Sequence, residues 1–266
     1  MSAPGLAAAA MSNRFLRRAG PGTIVQKLTI KAVMERKLIS DGDRILIAAL
    51  GGKDSTVMAW ALSAVRPALK TDYELAALHI SNDFVSDKTS ALAAALAGRF
   101  EEWGIPFTDL QAPVIGRLKE GRKMNCYWCS TQRRTELIRY AMDKGFNKIA
   151  LGHHLDDIIE TFFMNMTGKG ILSAMPMLLS YRKYPLSLIR PLGYLEEQQI
   201  MACAAEMGIL KVSCTCPYGL NSGRRDMRDR LAAFTGNSSP VKRRILAALS
   251  GAAEALPEDC GADETH

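Results

Sequence analysis

The sequence predicts an α/β fold in which a mostly parallel sheet carries helices on both faces. Short apolar runs typical of buried strands alternate with segments of helical periodicity, which is the pattern of a parallel sheet. The first predicted strand ends in Gly51-Gly52 and is followed at once by a helix, as in folds that hold an anion at a helix N-terminus. The 266 residues are 48% hydrophobic, which is sufficient for a substantial core.

The spacing of hydrophobic residues predicts the individual helices and strands, and glycines mark the turns and helix ends between them. Asp41-Gly42-Asp43 is a predicted turn before the first strand, while Gly104 and Gly145 each follow a helical pattern that they end. In chain order we predict a helix over 24–39, a strand over 45–50, a helix over 56–65, a strand over 73–80, a helix over 88–103, a strand over 106–109, a helix over 132–144 and a strand over 148–151.

The chain divides into three predicted segments. Residues 1–21 are expected to be a disordered leader, because they are rich in alanine and lack the basic start of a signal peptide. Residues 22–235 are expected to form the main domain, and residues 236–266 a C-terminal helix followed by a disordered acidic tail. No apolar run is long enough to span a bilayer, so we expect a cytoplasmic protein without a membrane partner.

The basic charge balance favours a polyanionic partner. The net charge is +7, and residues 181–245 alone contain eleven Lys and Arg against five Asp and Glu. Arg224, Arg225 and Arg228 recur at helical spacing and are candidate contacts to RNA phosphates. A solvated helix face explains these three charges equally well.

The loop after the first strand carries the residues that a phosphate site requires. Gly51 and Gly52 allow the backbone to approach phosphate oxygens, and Lys53 adds a positive charge. Ser55 supplies a hydroxyl, and Asp54 is a candidate ligand for Mg²⁺. Neither the Walker motif nor the dinucleotide-binding glycine motif is present. The pattern therefore indicates a different nucleotide loop, with an ordinary strand-to-helix turn as the alternative.

Two cysteine pairs suggest metal or redox chemistry. Cys126 and Cys129 form C-x-x-C, and Cys214 and Cys216 form C-x-C far downstream. Four thiolates would complete a structural zinc site, whereas three would leave one iron of an iron–sulfur cluster open to another ligand. A thioredoxin-like pair is a third option. Cys203 lies in an apolar helical pattern and is expected in the core.

The segment Gly152-His153-His154-Leu155-Asp156-Asp157 is a predicted strand end, turn and helix start. One acid can cap the helix while the other faces a nucleotide. By itself, the segment is more typical of a capped turn than of a site.

In combination, these motifs resemble the tRNA 2-thiocytidine synthetase family of ATP pyrophosphatases, whose nucleotide loop is called the PP-loop. The resemblance extends over roughly residues 22–235 in unbroken order, and ordered motifs are more specific than any single one. It includes the glycine loop, C-x-x-C followed by Arg133-Arg134, the segment IALGHHxDD, the segment Ile189-Arg190-Pro191-Leu192 and the late cysteine pair. Two departures are Leu50, where the family has serine, and C-x-C, where the family has C-x-x-C.

This resemblance implies a Rossmann-like PP-loop fold of the adenine nucleotide alpha hydrolase type. Members of the family use ATP, Mg²⁺ and a [4Fe-4S] cluster on three cysteines to replace the C2 oxygen of cytidine 32 in tRNA by sulfur. The implied partners are tRNA and a cysteine desulfurase or other sulfur donor, and a homodimer is left open. Two alternatives from other classes are an adenylating enzyme of the lysidine synthetase or amidotransferase type and a non-catalytic, zinc-containing RNA-binding protein.

Matching the motifs residue by residue implies the following site. The residues expected to bind ATP are Leu50, Gly51, Gly52, Lys53, Asp54, Ser55 and Gly152. The expected catalytic residues are Lys53, Asp54 and Asp157. The expected cluster ligands are Cys126, Cys129 and Cys214, because the first cysteine of the late pair is the ligand in the family; Cys216 is the alternative to Cys214.

Overall fold

The structure of the protein is a computed structural model that describes residues 20–83, 88–209 and 223–255, with the side chains of 88–92, 223–225 and 250–255 left out of that description. Within these ranges the helices are α1 (Pro21–Glu35), α2 (Lys53–Leu69), α3 (Lys88–Glu102), α4 (Cys126–Asp143), α5 (Leu155–Lys169), α6 (Glu197–Glu206), α7 (Gly223–Thr235) and α8 (Ser239–Ala255). The strands are β1 (Asp43–Ala48), β2 (Tyr73–Asn82), β3 (Phe107–Ala112), β4 (Lys148–Ala150), β5 (Leu178–Ser180) and β6 (Ser187–Ile189).

The predicted α/β fold is confirmed. The six strands form one sheet in the order β3-β2-β1-β4-β6-β5, and only β5 runs antiparallel to its neighbour. The sequence patterns located the first four strands but missed the β5–β6 hairpin. Each strand of that hairpin has three residues, which is too short for a readable alternation of apolar and polar side chains.

Among the predicted helix starts that were too late, two change the position of motif residues. The second helix was predicted from residue 56 but begins at Lys53, so the lysine lies in its first turn. The helix predicted over 132–144 begins at Cys126, so both cysteines of C-x-x-C lie on α4 and not in a turn before it. Asn125 explains the second difference, because its side chain caps the helix by accepting a hydrogen bond from the Trp128 N–H.

The order of the strands creates a crevice at the end of β1. The chain builds β1, β2 and β3 toward one edge of the sheet and then returns to place β4 on the other side of β1. Ligands of open α/β sheets bind at such a reversal, beyond the carboxyl ends of the strands. The glycine loop follows β1 and the His153-His154 turn follows β4, so both flank this position.

The helices lie on both faces of the sheet. On one face, α4 contributes Leu137 and Ala141 to a core that includes Leu46, Leu78 and Ile149 from three strands. The helices α2 and α3 lie on the opposite face, as right-handed crossovers require when the chain reverses direction between β3 and β4. The helix α1 packs against α2 and α6.

The chain forms two compact units. The first unit contains the sheet and consists of Met1–His154 and Met177–Asn221, while the second consists of Leu155–Pro176 and Ser222–His266. Within the second unit, α5 packs against α7 and α8. None of the helices that the structure describes is long and apolar enough to cross a membrane.

Two ion pairs connect the helices of the second unit. The nearly fully buried carboxylate of Glu160 on α5 accepts a hydrogen bond from Arg228 Nε of α7 at 2.7 Å. Asp156, in the first turn of α5, lies 2.6 Å from Lys242 Nζ of α8. A buried acid requires such a cation, because an uncompensated charge in the interior is costly.

Candidate active site

The glycine loop has a backbone geometry that depends on its sequence. Gly51 has φ 82°, a left-handed conformation that side chains with a Cβ rarely adopt, and Gly52 is the N-cap of α2. The hydroxyls of Ser55 and Thr56 both donate to the Gly52 carbonyl oxygen at 3.0 Å. These bonds fix the first turn of α2, whose leading N–H groups have no partner within the helix and are suited to an anion.

Lys53 lies between two carboxylates at the start of α2. Its Nζ is 3.0 Å from Asp54 Oδ1 and 3.0 Å from Glu197 Oε1, the latter on the first residue of α6. Burial alone would lower the pKa of Lys53, but Asp54 and Glu197 outweigh burial and raise that pKa above its ordinary value. Lys53 is therefore a cation at neutral pH and is held at the mouth of the loop.

The turn after β4 is in direct contact with this loop. A Cβ added to Gly152 would lie 2.9 Å from the Ser55 backbone nitrogen and 3.1 Å from the Asp54 carbonyl carbon. Only a glycine allows the two backbones to approach this closely. In the same turn, Arg190 Nε donates to His153 Nδ1 at 3.4 Å, which connects the turn to the end of β6. The nucleotide loop and the histidine turn, far apart in sequence, thus form one surface.

The Gly152–Ser55 contact leads to a first prediction. Gly152→Ala is expected to push the loop aside, to destabilise the protein by about 1–3 kcal/mol through overpacking, and to weaken ATP binding. The matched control is Gly98→Ala in the interior of α3, where an added Cβ meets nothing within 4 Å; this change is expected to stabilise the protein by roughly 0.5–1 kcal/mol. Urea unfolding and ATP titration calorimetry measure both effects. Equal behaviour of the two variants would contradict the assigned contact.

The two cysteines of C-x-x-C occupy the first turn of α4. Positions i and i+3 of a helix lie on the same face, so Cys126 and Cys129 are neighbours there. Cys126 is exposed and Cys129 is half-buried. Two adjacent thiols at a helix start are a donor set that fits an iron–sulfur cluster or a zinc ion.

Trp128 and Asn82 fix the position of this cysteine turn relative to the sheet. Trp128 Nε1 donates to the Val114 carbonyl oxygen at 2.9 Å, and Cys129 Sγ lies 3.9 Å from Asn82 Oδ1. Asn82 is the last residue of β2, which pairs in parallel with β1. The cysteine turn and the nucleotide loop therefore both lie at the carboxyl ends of the parallel strands. The first unit therefore brings a nucleotide loop and a thiol pair to one end of the fold.

The remaining predicted cluster ligands belong to the late cysteine pair. Cys214 and Cys216 lie outside the described residues, and within the described ranges no three His, Cys, Asp or Glu side chains are grouped as a metal site. The assignment of the third cluster ligand stays a prediction.

The predicted catalytic acid and the predicted RNA contacts lie in the second unit. Asp157 is in the first turn of α5. Arg224 and Arg225 are on α7, and Arg228 of the same helix forms the ion pair with Glu160. The roles of these four residues stay predictions.

Sequence reasoning missed two side chains that support the nucleotide loop. Glu197 is distant in sequence from its partner Lys53, and no motif marks it. His79 of β2 is buried, and its Nδ1 donates to the Ala49 carbonyl oxygen at 2.6 Å, directly before the loop. Burial lowers the pKa of His79, so its ring stays neutral at physiological pH. An isolated histidine in an apolar strand gives no signal of this contact.

Comparisons with known proteins match this architecture. A family model described as a PP-loop domain matches residues 23–212. A protein of Syntrophotalea carbinolica named tRNA-cytidine(32) 2-sulfurtransferase is 34% identical over 85% of this chain and 88% of its own length. A protein of the same name from Geobacter metallireducens is 33% identical over 83% of this chain and 86% of its own length.

One solved structure with a similar fold is the U34-tRNA thiolase NcsA from Methanococcus maripaludis with its [4Fe-4S] cluster. It superposes with a TM-score of 0.72 at 24% identity and covers 90% of this chain and 80% of the thiolase. At this level of identity the match establishes the shared fold.

Proposed function

This chain belongs to the PP-loop family of tRNA-cytidine(32) 2-sulfurtransferases, and we propose that it replaces the C2 oxygen of cytidine 32 in tRNA by sulfur at the expense of ATP. Membership makes the chain a sulfurtransferase that thiolates tRNA; the base and its position are the specific part of the proposal. The observation that carries the proposal is that the nucleotide loop and the C-x-x-C turn both lie at the carboxyl ends of the parallel strands.

In the proposed first step, the C2 oxygen of the base attacks the α-phosphorus of ATP. The bond between the α- and β-phosphates breaks, and pyrophosphate leaves. Lys53 and the leading N–H groups of α2 would stabilise the charge that develops on the pyrophosphate. We assign Asp54 as a carboxylate that holds Mg²⁺, which prefers oxygen ligands and phosphates. Gly152 would maintain the shape of the loop through its contact with Ser55.

In the proposed second step, sulfur replaces oxygen at C2, and AMP leaves with the original oxygen. We propose that Cys126, Cys129 and one of Cys214 and Cys216 hold a [4Fe-4S] cluster. When bound, the cluster would supply the sulfur in a reactive form. The role of α4 is to hold two thiolates on one face of a capped helix turn, near the end of β2.

Anaerobic purification followed by metal and acid-labile sulfide analysis tests this proposal. We expect a brown protein that contains iron and sulfide, and we expect it to form 2-thiocytidine in an unmodified tRNA transcript only when ATP, Mg²⁺ and a sulfide source are present. Exposure to air should bleach the protein and abolish the activity. Stoichiometric zinc without iron in the anaerobic protein would favour the RNA-binding alternative, and thiolation without ATP would contradict the adenylation step.

A further inference from the structure

An exposed aromatic ring next to a cluster of cations distinguishes the surface at the start of α4. Tyr127 follows Cys126 in the motif and is 68% exposed. The exposed cations lie in the preceding loop and, for Arg134, two helical turns after Tyr127. We call these residues the basic-aromatic face: Lys119, Arg122, Lys123, Tyr127 and Arg134.

Three contacts anchor the first part of the loop before α4, residues 114–117, and the Arg122 N–H donates to the Lys119 carbonyl oxygen at 3.1 Å within the following turn. Trp128 Nε1 donates to the Val114 carbonyl oxygen, which attaches the start of the loop to α4. Arg117 Nη1 lies 2.6 Å from the buried carboxylate of Glu136, which attaches the middle of the loop to the same helix. The carboxylate of Asp83 accepts the N–H groups of Ile115 and Gly116, which attaches the loop to the end of β2. A preordered surface binds a ligand with a smaller loss of conformational entropy than a mobile one.

The loop before α4 and the first turns of that helix are predominantly positively charged. Between residues 117 and 134 there are six Lys and Arg, and Glu120 is the one acid. The nearby acids are already engaged, Glu136 by Arg117 and Asp83 by backbone N–H groups. The side chains of Lys119, Arg122 and Lys123 are therefore exposed cations that are accessible to a ligand from solution.

We propose that the basic-aromatic face binds a single-stranded loop of the tRNA, with the cations on its phosphates and Tyr127 stacked on an unpaired base. Proteins that bind unpaired RNA combine a cationic track with aromatic rings on which bases stack. Tyr127 lies in the same helical turn as Cys126 and Cys129, so a base stacked on this ring is brought near the cysteine turn. The inference rests on the proposed function, because tRNA is the ligand in both.

The test compares tRNA binding by variants of the full chain that are purified anaerobically, with the iron content measured for each. Tyr127→Ala is expected to weaken the binding of an unmodified tRNA transcript by about 5- to 150-fold, the effect of removing one stacked base. Tyr127→Phe keeps the ring and is expected to bind like the wild type. A fully paired, blunt-ended RNA duplex should not distinguish Tyr127→Ala from the wild type, because it offers no unpaired base.

The cations are tested by the salt dependence of binding. Replacing Lys119, Arg122 and Lys123 together by glutamine should lower the slope of log Kd against log salt by about 2, since each contact to a single strand contributes about 0.7. The matched control replaces three exposed lysines on and directly after α1 by glutamine, namely Lys27, Lys31 and Lys37. The same net charge is removed there, and we expect an unchanged slope. If Tyr127→Ala loses iron, the variant of Lys119, Arg122 and Lys123 still tests RNA binding by this surface, because it leaves the cysteine turn unchanged.

Two results would overturn the proposal while the proposed function stands. In the first, the wild type thiolates tRNA, but all these variants bind tRNA as the wild type does. In the second, tRNA binding is unchanged and only the transfer of sulfur from a protein donor becomes slower, which would assign this surface to the donor. Failure of the proposed function is a separate result, in which the wild type forms no 2-thiocytidine.

Discussion

Lys53→Ala is expected to lower the rate of tRNA thiolation by about 10²–10³-fold, the effect of removing one donor that stabilises charge in a transition state. In the wild type, Lys53 Nζ lies 3.0 Å from both Asp54 Oδ1 and Glu197 Oε1. Without the lysine, the two carboxylates would repel the pyrophosphate that the loop must accommodate. Alanine is a good helix former, so α2 should still begin at this residue. The measurements are the release of pyrophosphate in the presence of tRNA and the formation of 2-thiocytidine.

Leu50→Ser is the control within the same loop. Leu50 is 47% exposed, so its replacement removes no core contact, and serine is the residue at this position in the family. We expect activity close to that of the wild type. If Lys53→Ala retained wild-type activity while its far-UV circular dichroism was unchanged, the assignment of the loop to ATP would be wrong.

Cys126→Ala and Cys129→Ala are each expected to lose the bound iron and all thiolation. A cluster on three thiolates that loses one of them has two iron atoms without a protein ligand and is no longer held. ATP binding should persist, because the glycine loop belongs to a different segment of the first unit. Iron content, the absorption of the cluster and ATP titration calorimetry separate these effects.

Cys203→Ala is the matched control for the cysteine variants. Cys203 is fully buried in α6, and burial raises the pKa of its thiol to about 12, so it remains a protonated core residue. Its replacement should leave iron and activity in place and reduce only stability. Retention of iron by both Cys126→Ala and Cys129→Ala would show that C-x-x-C does not hold the metal.

The strands and the nucleotide loop were predictable because their signals are local. An apolar run that ends in Gly51-Gly52 and continues into a helix has few other structural solutions. The start of α4 was not predictable in this way, because Tyr127 and Trp128 have modest helix propensity. Their helical conformation depends on the Asn125 cap and on the bond from Trp128 to Val114, which only the folded chain provides.

The remaining features of the site depend on contacts between segments that are distant in sequence, and the sequence alone did not predict these contacts. Glu197 reaches Lys53, and Gly152 meets Ser55, across more than ninety positions in each case. A pattern in a single sequence identifies residue types that suit a site, but these pairings follow from the order of the strands. The strand order places the end of β4 beside the end of β1.

The arrangement of the second unit has a consequence for synthesis on the ribosome. The helix α5 is made first, whereas its partners α7 and α8 follow only after about fifty residues that belong mainly to the first unit. At about 5–20 residues per second, the nascent α5 waits roughly 3–10 seconds for them. During this interval Asp156 and Glu160 lack Lys242 and Arg228, the cations they meet in the finished protein. A ribosome stalled before residue 223 would therefore present α5 without its partner helices, with the apolar side chains of Leu155, Ile158 and Ile159 exposed to chaperones and proteases.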